Sequence, residues 1–198
     1  RVDWWLGRSS STEYQKAYDT IASFSPISAT DVFLDIACGN GEMLRRRVGK
    51  AGKVVGSDLT KRMLEIAAQR LYEQGITAEV FDRPLNRDEW SRETRKDRVA
   101  LCVDDIVRTN LPPNFFDNVL LSFPDIRTNN QTPLMEKFVR EYSGKLDPKE
   151  LYNSAHMLQA AYRAVGLAKP NGLFTFVFYS SRHKDSPHYA RMPEKFAE

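Results

Sequence analysis

Short, mostly apolar runs set between stretches of helical spacing leave this chain few ways to fold. The runs are Val32-Phe33-Leu34-Asp35-Ile36, Val54-Val55-Gly56-Ser57-Asp58, Val99 to Val103, Val119-Leu120-Leu121 and Leu173 to Tyr179. None alternates cleanly between apolar and polar residues, so each strand has to be covered on both faces. Between them, Tyr14, Ala17, Tyr18, Ile21 and Ala22 recur at helical spacing, as do Met63, Leu64, Ala67 and Leu71. Strands of this kind separated by amphipathic helices define an α/β fold with a doubly wound, mostly parallel sheet. Such sheets bind ligands beyond the carboxyl ends of their strands. The chemistry is therefore sought directly after each run.

Helix starts and stops sharpen the outline. Ser10 with Glu13 reads as a capping box opening the first helix, and Ser25-Pro26 closes it. A second helix follows from about Glu42. Asp147-Pro148-Lys149-Glu150 opens a late helix, whose spacing predicts a buried face of Leu151, Ala155, Leu158, Tyr162 and Val165. A further helix is expected near Leu134 to Tyr142. Thr77 to Arg98, polar and interrupted by Pro84, reads as an insertion. Lys169-Pro170-Asn171-Gly172 turns the chain into its last run. The expected organisation is one domain: a helical cap over 1–30, a core over 31–179 with the insertion at 77–98, and a lid or partial C-terminal region over 180–198.

A chain of 198 residues, 41% hydrophobic and 28% charged, is ordinary for one globular domain. No apolar run is long enough to span a bilayer, and no signal-peptide pattern opens the chain. It begins at Arg1 without an initiator Met, which reads as a fragment. Two cysteines, Cys38 and Cys102, make no disulfide framework and suit the cytoplasm. The net charge of +3 does not by itself call for nucleic acid. Arg45-Arg46-Arg47 and the charges from Arg83 to Arg98 read first as solvated faces.

The first run ends in Leu34-Asp35-Ile36-Ala37-Cys38-Gly39-Asn40-Gly41. Glycines there let backbone approach a ligand, although Gly-x-Gly alone is weak. Asp58 ends the next run, 19 positions after Gly39, where a carboxylate can accept both hydroxyls of a ribose. A nicotinamide dinucleotide would suit that pair, but its fingerprint wants a third glycine where this chain has Leu44. A carboxylate such as Asp35 ahead of the loop favours a cation instead of a pyrophosphate. The third run leads into Asp104-Asp105-Ile106, where a carboxylate can accept from an adenine amino group. A ligand with adenine, ribose and a cationic amino-acid tail meets all three demands.

These residues carry a resemblance. Together with Val55-Gly56-Ser57-Asp58-Leu59-Thr60, Met63-Leu64, Leu111-Pro112-Pro113-Asn114-Phe115-Phe116-Asp117-Asn118, Val119-Leu120-Leu121-Ser122-Phe123 and Leu167-Ala168-Lys169-Pro170-Asn171-Gly172, they occur in the order seen in one family. Over about Val32 to Tyr179 the chain resembles the class I S-adenosylmethionine-dependent methyltransferases, above all the ubiquinone/menaquinone-biosynthesis type. The resemblance implies a Rossmann-like fold and S-adenosyl-L-methionine as cofactor. It implies that Asp35 and the loop Ala37, Cys38, Gly39 and Gly41 hold the methionine part, and that Asp58 binds the ribose hydroxyls. Leu59 and Met63 would pack beside the adenosine. Asp105 would take the adenine amino group, with the Ile106 N–H on a ring nitrogen and Asp104 as the alternative. Ser122 and Phe123 would lie near the methyl group. Ala37 departs from the family's first loop glycine. The family's fold ends with two further strands, for which only Ser180 to Glu198 remain, so these strands are missing or the fold is shortened.

The expected activity is methyl transfer to a small molecule. Enzymes that methylate base amines carry Asp/Asn-Pro-Pro-aromatic after the fourth strand, whereas this chain has Ser122-Phe123-Pro124-Asp125. A nucleic-acid or protein methyltransferase and a non-catalytic binding module are the rivals. No catalytic acid or base is assigned, because methyl transfer works largely by orientation. His156, His183 and His188 lack metal-ligand spacing, so no metal is expected. Ser180 to Arg191 is expected to form a mobile lid, and Trp4, Trp5, Tyr14 and Tyr18 a flap or packed helix.

Overall fold

The computed structural model describes residues 2–93, 98–122, 133–145 and 148–177. Its strands are β1 (Val32–Ile36), β2 (Lys53–Asp58), β3 (Thr77–Phe81), β4 (Arg98–Val103), β5 (Phe116–Ser122) and β6 (Ala168–Val177). They form one sheet in the order β3-β4-β2-β1-β5-β6, and every neighbouring pair runs parallel. The helices are α1 (Val2–Ser9), α2 (Thr12–Phe24), α3 (Glu42–Arg47), α4 (Lys61–Tyr72), α5 (Arg87–Glu93), α6 (Pro133–Tyr142) and α7 (Pro148–Val165). Strand order reverses at the β1/β5 boundary, the place where open α/β sheets take ligands.

Successive strand residues point to opposite faces, and both faces are buried. Phe33, Val54, Leu101 and Leu120 pack with Tyr14, Tyr18 and Ile21 of α2, Leu44 of α3, and Leu64, Ala67 and Leu71 of α4. Leu34, Val55, Cys102, Val119 and Leu121 pack the other way, against Trp90 of α5 and Ala160 and Ala164 of α7. Two-sided cover explains why the strand sequences carry so few polar positions. Among the described residues no helix is long and apolar enough to cross a membrane.

Four expectations need correction. Helix α2 is capped by Ser11 and not Ser10; the Tyr14 N–H donates to its hydroxyl at 3.5 Å, and a separate α1 precedes it. The 77–98 segment is part of the fold: β3 adds to β4 as an edge strand, and α5 is anchored by the fully buried Trp90. The last strand begins at Ala168, before the expected turn. Phe116 pairs with Ala168 and Asn118 with Leu173, so residues 169–172 form an irregularity within the β5–β6 ladder. Finally, α7 buries Ala155, His156, Gln159, Ala160 and Ala164, while Tyr162 and Val165 are 68% and 53% exposed. Small alanines let this helix lie close to the sheet with Tyr162 and Val165 turned outward and Leu158 half-buried, while the side chain of Leu151 lies outside the described residues.

Candidate cofactor site

The carboxyl ends of four adjacent strands bring the sequence-predicted residues into one row. Parallel register sets Ile36 beside Ser57 and Leu121, and Asp58 beside Val103. Across the sheet the order is therefore Asp104-Asp105 after β4, Asp58 at the end of β2, the Ala37–Gly41 loop after β1, and Ser122 ending β5. Neighbouring strands lie ~4.8 Å apart, so the row spans about 14 Å.

The loop is built from alternating left-handed residues: Ala37 (φ 56°), Gly39 (φ 54°) and Gly41 (φ 81°). The Gly41 N–H closes it on the Cys38 carbonyl at 3.0 Å, and the Cys38 N–H holds it to the Ser57 carbonyl at 2.9 Å. A Cβ at Gly41 would sit 3.1 Å from the Ala67 Cβ of α4, so glycine serves both conformation and packing there. Ala37 adopts the same region without being glycine, at a cost of about 1–2 kcal/mol. Cys38 is a buried free thiol whose pKa is pushed up by burial and then by the nearby Asp58 and Asp35 carboxylates. It is packing material for the loop, not a nucleophile.

Asp58 ties loop to strand. The Gly39 N–H donates to Oδ2 at 3.0 Å and the Thr60 N–H to Oδ1 at 2.8 Å. Burial raises its pKa, partly offset by these backbone donors. Each carboxylate oxygen keeps further lone-pair capacity for a diol.

Asp35 lies beneath the loop, 1% exposed. Its Oδ1 has no hydrogen-bond partner among the described residues. Burial, then repulsion from Asp58, raises its pKa strongly, while the Arg47 charge pulls the other way. A buried carboxylate left so poorly paired is costly unless a cation arrives. The residues present thus fit a ligand with an ammonium or sulfonium group.

At the far end of the row, Asp104 and Asp105 divide their work. Asp105 is half-buried, and its Oδ1 accepts from the Val107 N–H at 3.0 Å, capping a single 3-10 turn over Ile106–Arg108. Asp104 is buried, its Oδ2 has no partner among the described residues, and burial pushes its pKa up to about 6. A carboxyl raised from an ordinary value near 3.8 binds its proton more tightly folded than unfolded. Stability should therefore rise as pH falls through 6 toward that ordinary value. The melting midpoint of the free protein is expected to climb between pH 7 and 5, and Asp104→Asn should lack that part of the gain. Parallel melting curves for the two proteins would refute this.

The remaining predicted residues fall as follows. Met63 is buried in α4, while Leu59 is 58% exposed next to Asp58, open to an apolar ligand face. Ile106 and Ser122 are buried. Phe123, Pro124, Asp125, His183, His188 and the 180–191 segment lie outside the described residues, as do the side chains of Trp4 and Trp5. Among the described residues no group of three metal-ligating side chains comes together.

Arg45-Arg46-Arg47 is not the solvated face that the sequence suggested. Arg45 Nε and Arg46 Nη1 lie 2.7 and 3.0 Å from Oε2 of Glu42, a carboxylate only 2% exposed, and Arg70 Nη2 is 2.8 Å from its Oε1. Arg47 is buried, donates to the Ser25 carbonyl at 2.9 Å and stacks over Phe33. The cluster joins α2, α3 and α4 behind the loop. Sequence reading also missed Asn40, which is buried with its side chain on Ser9 (2.8 Å). Only its place in the middle of the loop hinted at a role.

Comparison with known proteins agrees with this geometry. Residues 33–94 match the family model described as a methyltransferase domain. The chain is 28% identical over 121 residues to a mitochondrial ribosomal RNA small subunit methyltransferase of Arabidopsis thaliana, covering 61% of this chain and 26% of that one. It is 35% identical over 74 residues to a 2-phytyl-1,4-naphtoquinone methyltransferase of Trichormus variabilis, covering 32% of each. The fold matches the solved YcgJ protein of Bacillus subtilis with a TM-score of 0.52 at 15% identity, covering 81% of this chain and 49% of that one. The chain thus spans no more than about a third of the length of these two curated relatives. The fold is the Rossmann-like fold of the class I methyltransferases. Residues 33–94 thus resemble a methyltransferase domain, and quinone-biosynthesis methyltransferases are among the proteins to which the chain is similar.

Proposed function

We propose that the chain transfers a methyl group from S-adenosylmethionine to a small-molecule acceptor. The observation that carries this reading is the row of carboxylates beyond the sheet, over the buried Asp35 whose Oδ1 has no hydrogen-bond partner among the described residues. Asp35 and the Ala37–Gly41 loop would hold the methionine part, Asp58 the ribose hydroxyls, and Leu59 and Met63 the adenosine faces. We assign the adenine amino group to Asp105, whose acid-then-apolar order presents the Ile106 N–H to the ring. A larger affinity loss in Asp104→Asn than in Asp105→Asn would reverse that assignment. When bound, the cofactor supplies an electrophilic methyl on a sulfonium. The protein's part is to orient it and exclude water, and Ser122 and Phe123 would lie near the methyl group. No general base is assigned. The free, buried Cys38 and Cys102 support a reducing, cytoplasmic setting.

Several features favour a small acceptor. Relatives are named as a 2-phytyl-1,4-naphtoquinone methyltransferase and a demethylmenaquinone methyltransferase. No Asp/Asn-Pro-Pro-aromatic motif follows β5, and α6 supplies material for a substrate cover. The arginine cluster that might have met phosphates is engaged with Glu42. Turnover of labelled S-adenosylmethionine against a panel including reduced naphthoquinones and benzoquinones tests the proposal. Binding without turnover on any acceptor would leave a non-catalytic module. The similarity to a ribosomal RNA methyltransferase sustains one second reading, RNA as acceptor. Filter binding separates the two: tight RNA binding with a steep salt slope favours RNA, and weak, salt-insensitive binding the small molecule.

A further inference from the structure

Apart from the row of carboxylates, Asn40 stands in the middle of the loop, and its side chain is not free to serve a ligand. Asn40 is 4% exposed, and its Nδ2 donates to Ser9 Oγ at 2.8 Å. Ser9 is the last residue of α1 and is fully buried; its hydroxyl donates back to the Leu6 carbonyl at 3.2 Å. Its own carbonyl accepts from Gln15 Nε2 at 2.7 Å, and Gln15 Oε1 accepts from Arg45 and Arg46 at 2.7 and 2.9 Å. The neighbouring Gly39 gives its N–H to Asp58. One loop residue thus faces the ribose carboxylate while the next grips the N-terminal helix.

We propose that Asn40 is a positioning residue that latches α1 onto the cofactor loop, so that docking of α1 and occupancy of the loop stabilise each other. The latch is read from the free protein; the coupling rests on the cofactor reading above. A buried amide donor has one described acceptor here, the Ser9 hydroxyl, and losing that acceptor would leave the Asn40 Nδ2 buried without it, while Ser9 keeps only its bond to Leu6. Ligand contact that fixes the loop backbone also fixes the donor, and the helix it holds is then harder to open. By reciprocity, a docked α1 favours the binding-competent loop by the same factor.

Hydrogen exchange of the α1 amides, with calorimetry in parallel, tests both parts using S-adenosylhomocysteine as the probe. In the free protein, Asn40→Ala should speed exchange in α1 roughly 2- to 10-fold while leaving the amides of β1 and β2 unchanged. Ser9→Ala removes the same bond from outside the loop and should speed α1 similarly; it keeps the test readable if Asn40→Ala does not fold. Saturating probe should slow α1 in the wild type and fail to slow it in either variant. Unchanged α1 exchange in the free variants overturns the latch. Probe binding by calorimetry with no slowing of wild-type α1 overturns the coupling. No heat of binding in the wild type overturns the cofactor reading and with it the coupling, and the latch is then decided by the free-protein exchange alone.

Discussion

Replacing Asp58 with alanine is expected to weaken S-adenosylhomocysteine binding by about 1.5–3 kcal/mol, roughly 10- to 150-fold, if both ribose bonds are charge-assisted. The effect has two sources. The diol loses its acceptors, and Gly39 and Thr60 lose the carboxylate that orders their N–H groups at 3.0 and 2.8 Å. Asp58→Asn keeps one oxygen acceptor and should fall between alanine and wild type. Calorimetric titration, with circular dichroism to establish folding, measures the series. An unchanged affinity in a folded Asp58→Ala variant would remove this residue from the ribose site.

The second large effect concerns stability. Glu42→Ala takes a nearly buried carboxylate from among Arg45, Arg46 and Arg70 and leaves three guanidinium groups facing one another. Breaking such a group from one side costs about 3 kcal/mol, the lower end for buried pairs because Arg45 and Arg70 are a third exposed. Burial raises the Glu42 pKa, but hydrogen bonds from Arg45 and Arg46 outweigh it and the net shift is downward. This stabilisation is therefore fully present above the ordinary carboxylate range and is lost as pH falls through the lowered value. Urea unfolding at pH 7 tests the magnitude; a loss below 1 kcal/mol would make the cluster a surface network. The wild-type advantage over Glu42→Ala should also shrink below about pH 4.

How much was legible in the sequence follows from where each residue's environment is decided. Strands β1, β2 and β5 are buried on both faces, so their apolar runs announce them. The loop and Asp58 were legible because their chemistry is local to strand ends. Strand β3 was not: Thr77-Ala78-Glu79-Val80-Phe81 sits at an edge, with Thr77 and Glu79 exposed, and it looks polar. Helix α5 is mostly charged, and one buried Trp90 holds it. The roles of Arg47, Asn40 and Ser9 depend on contacts between residues 22 and 31 positions apart, which no local pattern encodes. The rotation of α7 hinged on alanines, whose small volume matters only once a sheet lies against them.

The placement of β3 constrains the order of assembly. In the chain it comes between β2 and β4, but in the sheet β4 lies between β2 and β3, and among the described residues β3 has no other strand neighbour. Held by a single ladder at the edge of the sheet, it is expected to be the first strand to peel away. Truncations such as Val80→Ala should then speed unfolding and leave the folding rate nearly unmoved in a chevron series, the signature of a strand absent from the transition state. The α1 latch and the carboxylate row stand on strands that form without it. The segment that looked like an insertion is then expected to come apart as one, even though the finished sheet includes it.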